Sequence, residues 1–135
     1  MDEASPAARA RPLSPYVSIW RWHVTMAASI LHRLTGAALY AGAFLLAGWA
    51  GALAYGPIPY ARFMGLLASL PGRVVLFGLT LAAFFHLANG LRHLAWDFGR
   101  GFKPRTADAT AWTAIVLSLA AAVAVWILAP AAGGR

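Results

Sequence analysis

No cysteine occurs among the 135 residues. That absence excludes disulfides, thiolate catalysis, iron–sulfur ligation by this chain and covalent attachment of a c-type haem. Charge is scarce as well. Charged residues make up 11% of the chain, against about a quarter in a soluble domain. There is no glycine-rich phosphate-binding loop. What fills the chain instead is apolar, at 61%. The net charge of +7 would suit nucleic acid only if it formed a basic face on a soluble fold. Here the basic residues flank apolar runs, as in a membrane protein, and no nucleic-acid partner is expected.

Three runs lack Asp, Glu, Lys and Arg: Leu34 to Ala61, Val74 to Leu91 and Ala109 to Gly134. Gly56-Pro57-Ile58-Pro59 must end a helix inside the first of them. A membrane-crossing helix needs roughly 20 apolar residues. The runs therefore predict helices at about 27–54, 73–98 and 109–130. They are unbroken and rich in Ala and Leu, without the alternation of a membrane barrel. The fold class is an all-α membrane protein with three transmembrane helices in a bundle. Residues 1–26 form an N-terminal segment and 131–135 a tail.

The first run is too long and too far from the start for a cleaved signal peptide. The leader carries Asp2 and Glu3 and is rich in Pro and Ala, unlike an Arg- and Ser-rich mitochondrial transit peptide. A bacterial inner membrane is expected. Arg9, Arg11, Arg21 and Arg33 lie at or before the start of the first helix. Arg92, Arg100, Lys103 and Arg105 lie at the end of the second or just after it. Only Arg62, Arg73 and Arg135 fall on the other side. Positive residues stay inside, so the N-terminus is expected in the cytoplasm and the C-terminus in the periplasm. Trp20, Trp22, Trp96 and Trp112 fall near the cytoplasmic ends, Trp49 and Trp126 towards the other interface, where amphipathic rings prefer to sit. The third helix, AWTAIVLSLAAAVAVWILAP, holds no ionisable group and is expected to pack and anchor.

Ionisable groups inside a membrane are costly, and two clusters hold them. The first is SILHRLTG at 29–36. On a helix, Ser29 and Arg33 stand one turn apart, Gly36 lies between them in angle and His32 is on the flank. Arg33 alone could snorkel to the headgroups, which leaves the rest of that face unexplained. The second is HLANGLRHLAWD at 86–97. His86, Gly90, His93 and Asp97 fall within about 60° of arc, and Arg92 points elsewhere. His86 lies about 16 Å below Asp97, well inside the hydrocarbon. A neutral imidazole there can be a haem ligand, with Gly90 leaving room for a flat macrocycle, or can hydrogen-bond a neighbouring helix. A second axial ligand would come from His32, His93 or another chain. His93 shares the face of His86, and His32 lies nearer its helix end, so a partner subunit is the simplest source.

At this point the chain resembles the membrane-anchor cytochrome b subunits of succinate dehydrogenase, respiratory complex II. RPLSPYVSIWRW at 11–22, SILHRLTG at 29–36 and HLANGLRHLAWDFG at 86–99 occur in that order, and the resemblance covers about residues 9–130. One departure is Tyr16, where many relatives have histidine. The resemblance implies pairing with a second three-helix anchor subunit. It implies a flavoprotein subunit and an iron–sulfur subunit on the cytoplasmic side, one haem b between the anchors and ubiquinone reduced near the cytoplasmic surface. It implies His86 as the haem axial ligand, and Ser29 and Arg33 as quinone-site residues with Arg33 also near a haem propionate. His32 is implied close to the haem and quinone region, and Gly90 and His93 are candidates for haem-proximal positions. Asp97 is a candidate for the proton path. Succinate oxidation would belong to partner subunits. A haem-free structural anchor, a fumarate reductase-type anchor, and a small transporter using His86, His93 and Asp97 as a proton relay are the alternatives.

Overall fold

A computed structural model of the chain describes residues 13–133. Asp2, Glu3, Arg9, Arg11 and Arg135 lie outside the described residues. Five helical elements follow one another: α1 Tyr16–Ile19, α2 Val24–Ala54, α3 Pro57–Ala68, α4 Leu70–Asp97 and α5 Pro104–Gly133. Among the described residues there is no strand. Three helices, α2, α4 and α5, are long and apolar enough to cross a membrane. At 31 residues, α2 is about 46 Å long. It exceeds a hydrocarbon core of about 30 Å, so part of it stands at the headgroups or the helix tilts.

The chain breaks where its backbone demands it. α2 stops at Ala54, and Gly56 takes φ 111°, a conformation open to glycine and strained for other residues. Pro57 then opens α3, where a missing N–H costs nothing. Ser69 ends α3 and caps α4, its Oγ accepting from Gly72 N at 3.3 Å. Gly72 is obligatory because a Cβ there would overlap the Leu66 carbonyl and stand 2.6 Å from that of Leu67. At the far end of α4, Gly99 at φ 72° reverses the chain. Arg100 N donates to Ala95 O at 3.0 Å and Gly99 N to Trp96 O at 2.7 Å. That pair of bonds is a Schellman cap, and it fixes the end of α4 beside Trp96.

α4 packs against α2, α3 and α5, and α2 also touches α5. The starts of α2 and α5 lie together, His23 Nε2 being 3.3 Å from Asp108 Oδ2, so α4 runs antiparallel to both. The basic residues Arg21, Arg33, Arg92, Arg100, Lys103 and Arg105 lie in the half of the bundle that holds these starts. Small residues set the close approaches, as is usual between membrane helices. Ala28 and Ala111 are fully buried and meet Phe85 where three helices converge. Further along α2, a Cβ on Gly42 would stand 2.9 Å from Leu79 and one on Gly48 3.2 Å from Phe63. Ala28→Leu is therefore expected to force α2 off its neighbours at a cost of about 1–3 kcal/mol. The check is a lowered thermal unfolding midpoint in detergent, and an unshifted midpoint would contradict this packing.

Candidate functional site

Two neighbouring features occupy the basic half of the bundle. One is a ladder of imidazoles. His32 on α2 stacks on His86 of α4, with ring centroids 4.0 Å apart and planes 10° from parallel. His93, seven residues further along α4, lies 5.0 Å from His32 at a 43° tilt. His86 is anchored at one nitrogen. Its Nδ1 stands 3.2 Å from the His32 carbonyl oxygen and 3.3 Å from Thr35 Oγ1. A carbonyl only accepts, so Nδ1 carries the proton. Thr35 Oγ1 gives its own proton to backbone carbonyls of α2, at 2.8 Å to Leu31 and 3.0 Å to His32. Its lone pairs therefore face Nδ1. The ring is left in the tautomer whose Nε2 lone pair is free. That is the arrangement in which a histidine ligates a metal, its other nitrogen held by a backbone carbonyl.

Glycines shape the surroundings of His86. A Cβ on Gly36 would stand 3.1 Å from His86 Cε1, so this glycine lets the imidazole reach α2. Gly36 thus belongs to the histidine ladder rather than to the face of Ser29 and Arg33. At Gly90 an added Cβ would meet nothing within 4 Å. One turn from His86, that open space suits a flat macrocycle. No group of three or more His, Cys, Asp or Glu converges on a bare-ion site among the described residues. A porphyrin supplies four ligands of its own and asks only for axial ones. These residues fit it.

The stacking bears on the second axial position. Face-to-face rings send their in-plane lone pairs side by side, so they cannot meet from opposite sides of one iron. His32 therefore does not complete a bis-histidine haem with His86 in this arrangement. Its Nδ1 is buried and has no partner among the described residues.

The second feature is an open groove of about 440 Å³, lined by Thr25, Met26, Ser29, Ile30, Arg33 and Trp96. Ser29 and Arg33, one turn apart on α2, both face it. The one ion pair among the described residues joins His23 and Asp108, so Arg33 keeps its guanidinium clear of carboxylates. Trp96 forms the opposite wall and lies edge-on to His93 at 5.0 Å, which ties the groove to the ladder. Asp97, the next residue of α4, is exposed. The groove offers a hydroxyl, a guanidinium without a carboxylate partner and part of an indole. It can take a flat ring whose oxygens gain negative charge.

Several of these contacts are invisible in the sequence. Trp96 reads there as an interfacial anchor. The His23–Asp108 contact joins residues 85 positions apart in the chain, with His23 Nδ1 held 2.9 Å from Thr25 Oγ1. The buried pair Asn89 and Arg92 also stands out only in three dimensions.

Comparison with known proteins gives one answer. The profile of the family described as "Succinate dehydrogenase/Fumarate reductase transmembrane subunit" matches residues 7–125. The chain is 35% identical over 117 residues to the succinate dehydrogenase cytochrome b556 subunit of Rickettsia felis, covering 87% of this chain and 91% of that one. It is 35% identical over 118 residues to the subunit of the same name from Paracoccus denitrificans, with the same coverage. The human mitochondrial succinate dehydrogenase cytochrome b560 subunit is 41% identical over 98 residues, 69% of this chain and 56% of that one. The chain belongs to the succinate dehydrogenase/fumarate reductase transmembrane subunit family, and its place is in the membrane part of a succinate:quinone oxidoreductase complex.

Proposed function

We propose that this chain, with a second three-helix anchor subunit, holds haem b and forms the ubiquinone-reduction site of the complex. The observation that carries the reading is the groove of Ser29, Arg33 and Trp96 beside the ladder of His32, His86 and His93. A flavoprotein subunit oxidises succinate, and an iron–sulfur subunit passes the electrons on. The basic half of the bundle faces the cytoplasm, where those subunits dock, and the C-terminal end of α5 faces the periplasm of a bacterial inner membrane.

Ubiquinone takes two electrons and two protons to become ubiquinol. Negative charge develops on its oxygens before the protons arrive. Arg33 and Ser29 both line the groove and offer donors to that charge. Trp96 offers the ring a flat apolar wall. Asp97 stands at the water-facing end of α4, in position to pass protons inward. His86 would hold haem b through Nε2, and its Nδ1 bonds to α2 keep the ring from turning. The haem, when bound, supplies a one-electron reservoir close to the quinone. Because His32 is stacked on His86, it would not share the haem with it, and the other anchor subunit would supply the remaining ligand.

Purification through a tag on this chain in mild detergent tests the assignment. Flavoprotein, iron–sulfur and second anchor subunits are expected to co-purify. The reduced-minus-oxidised spectrum is expected to show a b-type haem. An assembled complex with no haem band would leave a purely structural anchor.

A further inference from the structure

Arg92 has no role in the reading above, yet it is the most expensive residue in α4. It is a guanidinium only 7% exposed in a membrane helix. Every partner it has is neutral. Nε donates to Thr110 Oγ1 at 3.0 Å, one terminal nitrogen to Asn89 Oδ1 at 3.3 Å and the other to the Ala107 carbonyl at 3.1 Å. Two of those acceptors are on α5. Asp108 on α5 acts on it only through space and is paired with His23 instead, and a buried charge without a direct ionic partner is costly. Uncharged hydrogen bonds and small residues could hold α4 to α5 just as well. What the charge adds is its fourth contact. Cζ lies 4.1 Å from the centroid of the Trp96 ring. The same indole is held at Nε1 by the Gly101 carbonyl, at 3.4 Å, and it walls the groove of Ser29 and Arg33.

We infer that Arg92 is a positioning residue: locked to α5 through its planar fork, it fixes the plane of Trp96 by a cation–π contact and so sets the shape of the groove for a quinone ring. This rests on the groove being the quinone site. Lysine cannot replace arginine here. One ammonium on a flexible stem cannot reach three acceptors in fixed directions and still lie flat on an indole. The inference also gives α5 a part in quinone binding, although none of its residues lines the groove.

The test uses the intact complex and titrates succinate:quinone reductase activity with a short-chain ubiquinone. Arg92→Lys and the milder Thr110→Val are each expected to raise the quinone KM about five-fold. Turnover at saturating quinone should hold within about twofold, and succinate oxidation by an artificial dye should not change. A double-mutant cycle separates positioning from mere stabilisation. On a Trp96→Leu background, Arg92→Lys should add no further rise in KM, because its effect runs through the indole. An unchanged KM in both single variants overturns the inference, and so does an additive double variant. If Arg92→Lys prevents assembly, Thr110→Val decides alone. Arg33→Ala is run alongside. Sensitivity there with inert Arg92 and Thr110 variants removes the positioning role and keeps the quinone site, whereas an inert Arg33→Ala removes both.

Discussion

A complex carrying His86→Ala is expected to lose essentially all of its b-type haem absorbance. The reason lies in how the imidazole is held. Its Nδ1 is committed to the His32 carbonyl and Thr35 Oγ1, at 3.2 and 3.3 Å. Only Nε2 is left to bind, and the bonds that commit Nδ1 also stop the ring from rotating away. Alanine deletes the ligand, and because the stacked His32 could stand in for it, His32→Ala is made on the same background. His32 is stacked alongside at 4.0 Å, and His93 lies two turns nearer the α4–α5 loop. Thr35→Val gives a graded version of the same test. It keeps the ligand and removes one acceptor from Nδ1, and such supporting partners are worth about 10- to 100-fold in metal affinity. Partial haem loss or a shifted redox midpoint is the expected result. A normal spectrum in the assembled His32→Ala/His86→Ala complex would remove His86 as the ligand, and no change in Thr35→Val would remove the role of Nδ1.

The three membrane helices are legible in the sequence because spanning a bilayer demands long apolar runs, and such runs have no common alternative explanation. The helix ends are less legible. α2 begins at Val24, before the apolar run, because hydrogen bonding of the first turn does not depend on hydropathy. Gly56-Pro57-Ile58-Pro59 reads as a stop, and Gly56 does reverse the chain there. The same Pro57 also starts α3, since proline favours a first turn as much as it forbids a later one. Angular position on each helix correctly groups Ser29 with Arg33, and His86 with His93. It cannot say how two helices are offset along their axes. Counted from helix ends expected at 27 and 98, His32 lies about 8 Å in and His86 about 18 Å in. That difference sets the two at different depths, yet their rings stack. The earlier start of α2 removes part of the difference, and helix offset and tilt remove the rest. Gly36 is misassigned for the same reason: a helical wheel shows its angle but not which neighbour lies opposite. Trp96 and Arg92 acquire roles only once α5 is packed in place.

Replacing Arg33 by alanine is expected to lower quinone reduction about 100-fold, the usual consequence of removing a donor aimed at developing negative charge. The guanidinium faces an open groove and has no carboxylate partner in this chain. Its charge is therefore available to a ligand, and its loss leaves no buried acid unpaired. Packing should survive, since Arg33 is exposed. Succinate oxidation by an artificial dye should hold its wild-type rate, because those electrons leave before the groove. Ser29→Ala removes a neutral donor and should cost about ten-fold, in line with the smaller worth of an uncharged hydrogen bond. Arg33→Lys separates charge from shape. A lysine keeps the charge on a comparable stem but gives up the planar fork, so activity between those of wild type and Arg33→Ala is expected. Snorkelling predicts another pattern. A side chain that only anchors α2 at the headgroups would be replaced fully by lysine. Wild-type activity in Arg33→Lys with a defect in Arg33→Ala would leave Arg33 as an anchor or a plain positive charge with no role for its fork, and wild-type activity in both would take it out of the site. The haem spectrum of the same variants locates the second contact. A shifted midpoint with normal absorbance would put the guanidinium near a haem propionate as well as the quinone, and an unmoved midpoint would leave it to the quinone alone.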